Sequence, residues 1–251
     1  MLLAGVGAAL LAFFIWKATN DNKTPPTSDN CVGQIQHSMV ILVDHSEHAT
    51  VQTHQEIIAR ALSRVKQAQP NTLVTLFVVS RTSQEQLQPL FSACRPPEGG
   101  NPVVENVKVI RDRYERKFRL PLEKALSKRI EVSEASPLAQ AITDISLTQF
   151  LRAEQNTLLV FSDMLENTKK FSLYQCATGH KAIQDFREVR RGAKERPQFK
   201  NTAIELNLIP RYDLPRTVLQ CRDHFWNWFF GDNDGSNATF QVDFLPGGDT
   251  K

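Results

Sequence analysis

The sequence predicts an α/β domain with a mostly parallel central sheet and helices on both faces. Runs of β-branched and aliphatic residues are continuous, as in strands buried on both faces. These runs alternate along the chain with segments of helical periodicity, the order typical of parallel sheets with helical crossovers. A length of 251 residues with 41% hydrophobic and 23% charged side chains suits one domain with an ordinary core. We therefore expect a three-layer, Rossmann-like architecture.

The individual elements follow from the same patterns. Strand-like runs cover residues 39–43, 73–79, 157–161, 203–209 and 240–245. Helical periodicity covers residues 51–68, 116–128, a segment that opens at Ser136-Pro137, and 218–230. We expect Ser136 to cap its helix, because serine accepts from free amides and proline suits the first helical position. The Pro- and Gly-rich stretch 90–105 is expected to be irregular, and Pro121 to break the second helix.

The N-terminal residues 1–17 predict a transmembrane anchor. Residues 1–16 carry no charge, and as a helix they span about 24 Å. That is a minimal span for a hydrocarbon core of about 30 Å. Trp16 and Lys17 suit an interface. A cleaved signal peptide stays open as the alternative, although no Lys or Arg precedes the run. Residues 18–30 form a polar linker, and residues 31–251 the domain.

The membrane side of the domain is predicted by two signals that disagree. Lys17 and Lys23 follow the apolar run, which by the positive-inside rule favours the cytoplasm. An even number of cysteines permits two disulfides in an oxidising compartment, with three connectivities open and free thiols as the alternative. We expect a single-pass membrane protein with an extracytoplasmic domain. The cysteines are Cys31, Cys94, Cys176 and Cys221.

Charge argues against a nucleic-acid partner. The chain has 30 Lys and Arg against 27 Asp and Glu, a net charge of +3, whereas nucleic-acid binders concentrate far more positive charge. Basic runs at residues 111–119 and 187–196 are mixed with acids, which is typical of solvated helix surfaces. The histidines show no metal-ligand spacing among themselves and are expected to be ordinary. Apart from His48, they are His37, His45, His54, His180 and His224.

Three short motifs carry oxygen ligands at strand and helix ends. Asp44-His45-Ser46-Glu47-His48 follows the first predicted strand, and Ser162-Asp163-Met164 follows a later one. Ser136-Pro137-Leu138 opens a helix. Ligands of such sheets bind beyond the carboxyl ends of the strands, so we expect the motifs to meet there. Carboxylates and hydroxyls suit a hard cation such as magnesium.

In order, spacing and strand context, the three motifs resemble the metal-ion-dependent adhesion site of von Willebrand factor A-type domains. That family has D-x-S-x-S after the first strand, a Thr or Ser at a helix start, and an Asp after the fourth strand. The resemblance covers roughly residues 38–245. It implies that Ser46 and Ser136 bind a cation directly, and that Asp44 and Asp163 act largely through bound water.

The fifth position departs from the family pattern, because His48 replaces its second serine. Imidazole is a poor magnesium ligand and a good ligand for zinc and other transition metals. We therefore expect a divalent cation at Asp44, Ser46, His48, Ser136 and Asp163. Magnesium is the first choice, and manganese or zinc are the alternatives that His48 introduces. Loss of the metal with retention of the fold stays open.

The resemblance implies a membrane-anchored module that docks a protein partner, whose acidic side chain completes the cation's coordination. Lys169 and Lys170, in the loop 165–174, would favour an acidic partner. One alternative is a metal-free scaffold subunit of a membrane complex. Another is a phosphatase-like hydrolase with Asp44 as nucleophile, but Ser46 stands where that chemistry needs a second acid. Without a Gly-rich phosphate loop or nucleophile elbow, we expect no enzymatic activity.

Overall fold

The computed structural model describes residues 29–45, 49–79, 87–103, 105–128, 135–231 and 239–245. The described strands are β1 (His37–Asp44), β2 (Leu73–Val79), β3 (Phe91–Cys94), β4 (Gln155–Ser162), β5 (Thr202–Leu208) and β6 (Thr239–Phe244). They form one sheet in the order β3-β2-β1-β4-β5-β6. Only the β2–β3 pair is antiparallel. This is the strand order of a doubly wound α/β fold.

Helices connect the strands. They are α1 (Val51–Gln67), α2 (Val107–Tyr114), α3 (Leu120–Leu126), α4 (Leu138–Leu147), α5 (Gly179–Val189) and α6 (Arg216–Phe230). A π-helical turn at Glu115–Arg119 joins α2 to α3, and 3₁₀ turns lie at Gln149–Leu151 and Leu173–Gln175.

Strand β1 illustrates how the two faces of the sheet are buried. Successive strand residues point to opposite faces. Val40 and Leu42 pack into one cluster with apolar residues of α4, α5 and α6. Ile41 and Val43 pack into a second cluster with residues of α1 and of the helical segment from α2 to α3. The prediction of a mostly parallel sheet between two helical layers is confirmed.

Three details of the predicted elements are wrong. The irregular stretch contains β3, whose antiparallel pairing lets a short connection from β2 suffice. Pro121 does not break its helix, because the π-helical turn before it shifts the hydrogen-bonding pattern and leaves proline in the first turn of α3. Helix α5 has no predicted counterpart, since its sequence is polar on most faces and buries only Ala182 and Phe186.

Two disulfides connect the four cysteines. Cys31 pairs with Cys94 and ties the segment before β1 to the end of β3, with Cα atoms 4.8 Å apart. Cys176 pairs with Cys221 and ties the loop before α5 to α6, with Cα atoms 6.3 Å apart. Of the three possible connectivities, the structure selects this one.

The predicted single-pass membrane localisation is wrong. No helix in the part of the chain that the structure describes is long and apolar enough to cross a membrane. The predicted anchor, residues 1–17, lies outside the described residues. The assignment of the domain to the extracytoplasmic side falls with it.

Candidate functional site

The carboxyl ends of β1 and β4 bring two of the predicted motifs together. The strands are parallel neighbours in register, with Val43 opposite Phe161. Asp44 ends β1, and Ser162 ends β4 directly before Asp163. Both carboxylates therefore leave the sheet at the same edge, as the sequence predicts.

Asp44 is the centre of the site. Its Oδ2 atom accepts a hydrogen bond from Ser136 Oγ at 2.9 Å and another from Ser162 Oγ, also at 2.9 Å. All three side chains are buried. Three segments that are far apart in sequence thus place two hydroxyls and one carboxylate oxygen in contact.

Ser136 does not cap α4, which corrects the predicted role. The cap position is Pro137, which has no side-chain cap. Two backbone hydrogen bonds join Ser136 to Asn167 in an isolated antiparallel bridge, at 2.7 and 3.0 Å. The backbone amides at the start of α4 are instead bonded by a residue outside the helix. Ala139 N–H donates to Glu166 Oε2 at 2.7 Å. Ser136 is thereby left to face Asp44.

The carboxylate of Asp163 is held by the guanidinium group of Arg211 and by a backbone amide. Its Oδ1 accepts from the amide of Leu165 at 2.9 Å, and its Oδ2 lies 2.6 Å from an Nη atom of Arg211. Arg211 also donates to the Tyr174 hydroxyl at 2.9 Å and forms a forked pair with Asp213. An arginine therefore already occupies one oxygen of a carboxylate that the resemblance assigns to the cation site.

Burial of several carboxyl groups at one edge changes their acidity. Burial, and then the charge of Asp44, raises the pKa of Asp163 to about 7, against the opposing effect of the Leu165 amide and Arg211. Burial likewise raises the pKa of Glu166 to about 8, with the Ala139 amide opposing and Asp44 adding to the rise. Both carboxyl groups therefore ionise less readily here than they would in water.

The backbone after Asp163 is strained and fixed. Met164 has φ of 60°, a left-handed conformation that costs roughly 1–3 kcal/mol for a residue with a side chain. Trp226 Nε1 donates to the carbonyl of Met164 at 2.5 Å, and Arg222 donates to the carbonyl of Asp163 at 3.1 Å. Helix α6 therefore holds the turn that directs Asp163 and Glu166.

His45 follows Asp44 and faces His54 of α1, with ring centroids 5.9 Å apart. Burial, and then the neighbouring His54, lowers the pKa of His45. A neutral imidazole beside the site is therefore expected at neutral pH.

Of the five predicted metal-site residues, the structure brings Asp44, Ser136 and Asp163 to one edge. Ser46 and His48 lie outside the described residues. The described residues contain no cluster of three or more His, Cys, Asp and Glu side chains arranged to hold a metal. A hard cation at this edge would therefore need serine hydroxyl groups as ligands in addition to the carboxylates.

Two residues of the site were missed by the prediction, Glu166 and Arg211, while Ser162 stands in a predicted motif but was given no ligand role. Arg211 lies just beyond the end of β5, so the strand-end rule that selected Asp44 could have found it. Glu166 has no comparable signal, because its role depends on a loop that folds back onto α4.

A cavity of about 410 Å³ lies beside the site, and Glu166 is part of its lining. The lining also includes Asp144, Lys169, Lys170 and Arg190. Lys169 and Lys170 are exposed.

The six-stranded, mostly parallel sheet agrees with the α/β fold that the resemblance to von Willebrand factor A-type domains predicted. No family model matches the sequence, and no curated protein matches it. Solved structures that are similar include three such domains. VWA2 of Sulfolobus acidocaldarius is 13% identical, with a TM-score of 0.43, over 84% of this chain and 42% of that chain. The SpRpn10 VWA domain is 12% identical, with a TM-score of 0.41, over 85% and 91%.

A von Willebrand factor type A protein from Catenulispora acidiphila is 8% identical, with a TM-score of 0.44, over 86% of this chain and 40% of that chain. The present chain thus spans less than half the length of this protein and of VWA2. The assignment to the doubly wound α/β class depends on the strand order and directions rather than on these distant similarities.

Proposed function

We propose that this domain is a protein-binding module that docks its partner through a divalent cation at the carboxyl edge of the sheet. One observation carries the proposal: Ser136 and Ser162 both donate to Asp44 Oδ2 at 2.9 Å. A hydroxyl and a carboxylate oxygen from the two segments that the family's pattern assigns to the cation are already in contact. Little rearrangement is needed for both to face one ion.

The charge at the edge supports a cation. Asp44, Asp163 and Glu166 are all buried. Burial, with a smaller contribution from the charge of Asp44, raises the pKa of Asp163 and of Glu166. Arg211 offsets part of this charge through Asp163. A divalent cation would offset the remainder and favour the ionised carboxylates, so the site gains electrostatic stability on binding.

The ligand set follows from the donors at the edge. Ser136 would bind the cation directly, and the family resemblance adds Ser46 as a second direct ligand. Asp44 and Asp163 would act largely through bound water. Magnesium suits these oxygen donors. If His48 takes part, its imidazole favours zinc or manganese over magnesium.

The partner is a protein that offers an acidic side chain. That side chain would take an open coordination position, and the cation supplies the attraction. The exposed Lys169 and Lys170, with Arg190 deeper in the 410 Å³ cavity, add positive charge beside it. This charge increases the association rate with acidic surfaces.

Calorimetric titration of the full-length, untagged protein with Mg²⁺ and Mn²⁺ tests the proposal. We expect one equivalent of cation to bind wild type, and binding to be lost in Asp44→Asn. Asp185→Asn removes a carboxylate from the exposed surface of α5 and is the matched control. Capture of a partner should then depend on the cation in wild type and in the control. Cation binding that is unchanged in Asp44→Asn would overturn the proposal.

A metal-free scaffold is the second candidate, because the guanidinium group of Arg211 already pairs with the Asp163 carboxylate. In that case the partner's acid would be recognised by fixed side chains. Partner capture would then survive addition of a chelator. The Arg211→Met variant would no longer capture the partner. Under the cation proposal, chelator abolishes capture.

A further inference from the structure

A pair of histidines lies at the junction of α5 and α6. His180 is in the first turn of α5, and His224 is in the middle of α6. Their ring centroids are 4.9 Å apart, with an angle of 65° between the planes. Both side chains are exposed. Neither ring has a hydrogen-bond partner among the described residues.

The start of α5 lies very close to the ring of His224. A Cβ atom on Gly179 would lie 2.4 Å from ring atoms of His224. Only glycine therefore lets the ring of His224 lie against the start of α5. This glycine permits the two helices to approach closely at the point where the histidines meet.

A disulfide fixes the same junction. Cys221 precedes His224 by three residues, which places the two on neighbouring positions of one face of α6. Its partner Cys176 lies just before α5, four residues ahead of His180. The disulfide thus joins the two segments that carry the histidines, about one helical turn away from each ring. This cross-link reduces the conformational entropy that is lost when both rings bind the same ion.

The spacing of the rings suits one metal ion. Two imidazoles on a tetrahedral zinc, with Zn–N distances of about 2.0 Å, place their ring centroids about 5 Å apart. We propose that His180 and His224 form a surface site for a divalent transition-metal cation of the zinc class. Neutral imidazole is a preferred ligand for zinc, copper and nickel. Water or a carboxylate of a bound partner completes the coordination, since the described residues offer no cluster of three such ligands.

This site is independent of the proposed docking site, because the two sites share no residue. Magnesium prefers oxygen donors, so a site of two imidazoles binds it poorly. The sequence does not reveal the pair, because the two histidines lie far apart in the chain and belong to different helices.

Zinc calorimetry of the full-length, untagged and oxidised Asp44→Asn protein tests the proposal. This background removes the carboxylate at the centre of the docking site. We expect one equivalent of zinc to bind, and both His180→Ala and His224→Ala to weaken binding by about tenfold or more. His54→Ala, which removes a histidine from the other close pair, is the matched control and should leave this binding unchanged. Circular dichroism checks that each variant is folded.

Two results would overturn the proposal. One is no zinc binding in the Asp44→Asn background, in which case the histidines are only a packing contact. The other is zinc binding that survives both alanine substitutions. The double variant Cys176→Ser with Cys221→Ser tests the role of the cross-link, and we expect weaker zinc binding with both histidines present. Magnesium binding by wild type is measured separately, so this proposal and the docking proposal fail independently.

Discussion

The Ser136 hydroxyl donates to Asp44 Oδ2 at 2.9 Å across 92 positions of sequence. This contact joins the start of α4 to the end of β1. Ser136 is free to make it because Glu166, rather than a local cap, serves the amides of α4. The edge is therefore organised by interactions between segments, and the proposed cation would bind to side chains that are already in place.

Ser136→Ala should weaken magnesium binding and destabilise the domain. The substitution removes a buried hydroxyl from a carboxylate, which costs about 1–3 kcal/mol in the free energy of unfolding. Ser136→Thr keeps the hydroxyl and should retain most of the binding. Urea unfolding and calorimetry measure both effects, with Ser172→Ala in the neighbouring loop as the control. Equal magnesium affinity in the alanine and threonine variants would contradict a ligand role for this hydroxyl.

Arg211→Met should destabilise the domain in a manner that depends on pH. It leaves Asp163 buried without its counter-ion, a change worth about 3–5 kcal/mol when the carboxyl is ionised. The pKa of Asp163 is already raised to about 7, and without Arg211 it rises further. Stability is therefore lost as pH increases through this range, and the defect is smaller near pH 5 than near pH 8.

The double variant Arg211→Met with Asp163→Asn is the control for that effect. Because asparagine carries no charge, the double variant should recover most of the lost stability near pH 8. A double variant as unstable as Arg211→Met would mean that Arg211 acts mainly through Tyr174 and Asp213.

The raised pKa of Glu166 predicts a second pH dependence of the domain's stability. Its pKa is raised from 4.5 to about 8 in the folded state. A carboxyl with a raised folded-state pKa contributes stability below its unfolded pKa, and this contribution is lost as pH rises through the folded pKa. The free energy of unfolding should fall by up to roughly 1.4 kcal/mol per pH unit from about pH 5 to pH 8. In Glu166→Gln the slope should be flatter. An equal slope in both proteins would show that Glu166 does not titrate in this range.

Trp226→Phe should loosen the turn after Asp163. It removes the indole N–H that donates to the carbonyl of Met164, at a cost of about 1 kcal/mol or more. Trp228→Phe, two residues further on α6, removes a half-buried indole with a similar loss of volume. We expect magnesium affinity to fall in Trp226→Phe and to stay unchanged in Trp228→Phe. The opposite order would contradict a positioning role for Trp226.

The sequence predicts those parts of the fold whose local pattern and tertiary role agree. Strand β2 is predicted with its observed bounds because every residue of the run is apolar or β-branched and packs against helices. Helix α1 is predicted at residues 51–68 for the same reason, and the apolar residues that it buries are Ile57, Ala61 and Val65. Strand β3 and helix α5 were missed because a four-residue edge strand and a mostly exposed helix need few apolar residues.

The candidate site is predictable where it depends on strand ends. Asp44 and Asp163 follow from the geometry of parallel strands, since neighbouring strands end at one edge. The ion pair of Asp163 with Arg211 does not follow, because it depends on where the chain turns after β5. The role of Glu166 is likewise set by a bridge between Ser136 and Asn167 that no sequence periodicity predicts.

The most direct measurement is a crystal structure of the protein grown with Mn²⁺, with anomalous scattering recorded to locate the metal. The account predicts one strong anomalous peak at the sheet edge, within coordination distance of Ser136 Oγ and bridged to Asp44, with an exchangeable ligand facing Lys169 and Lys170. A map with no peak there, in which the Ser136 hydroxyl still donates to Asp44 and Arg211 still pairs with Asp163, would contradict it.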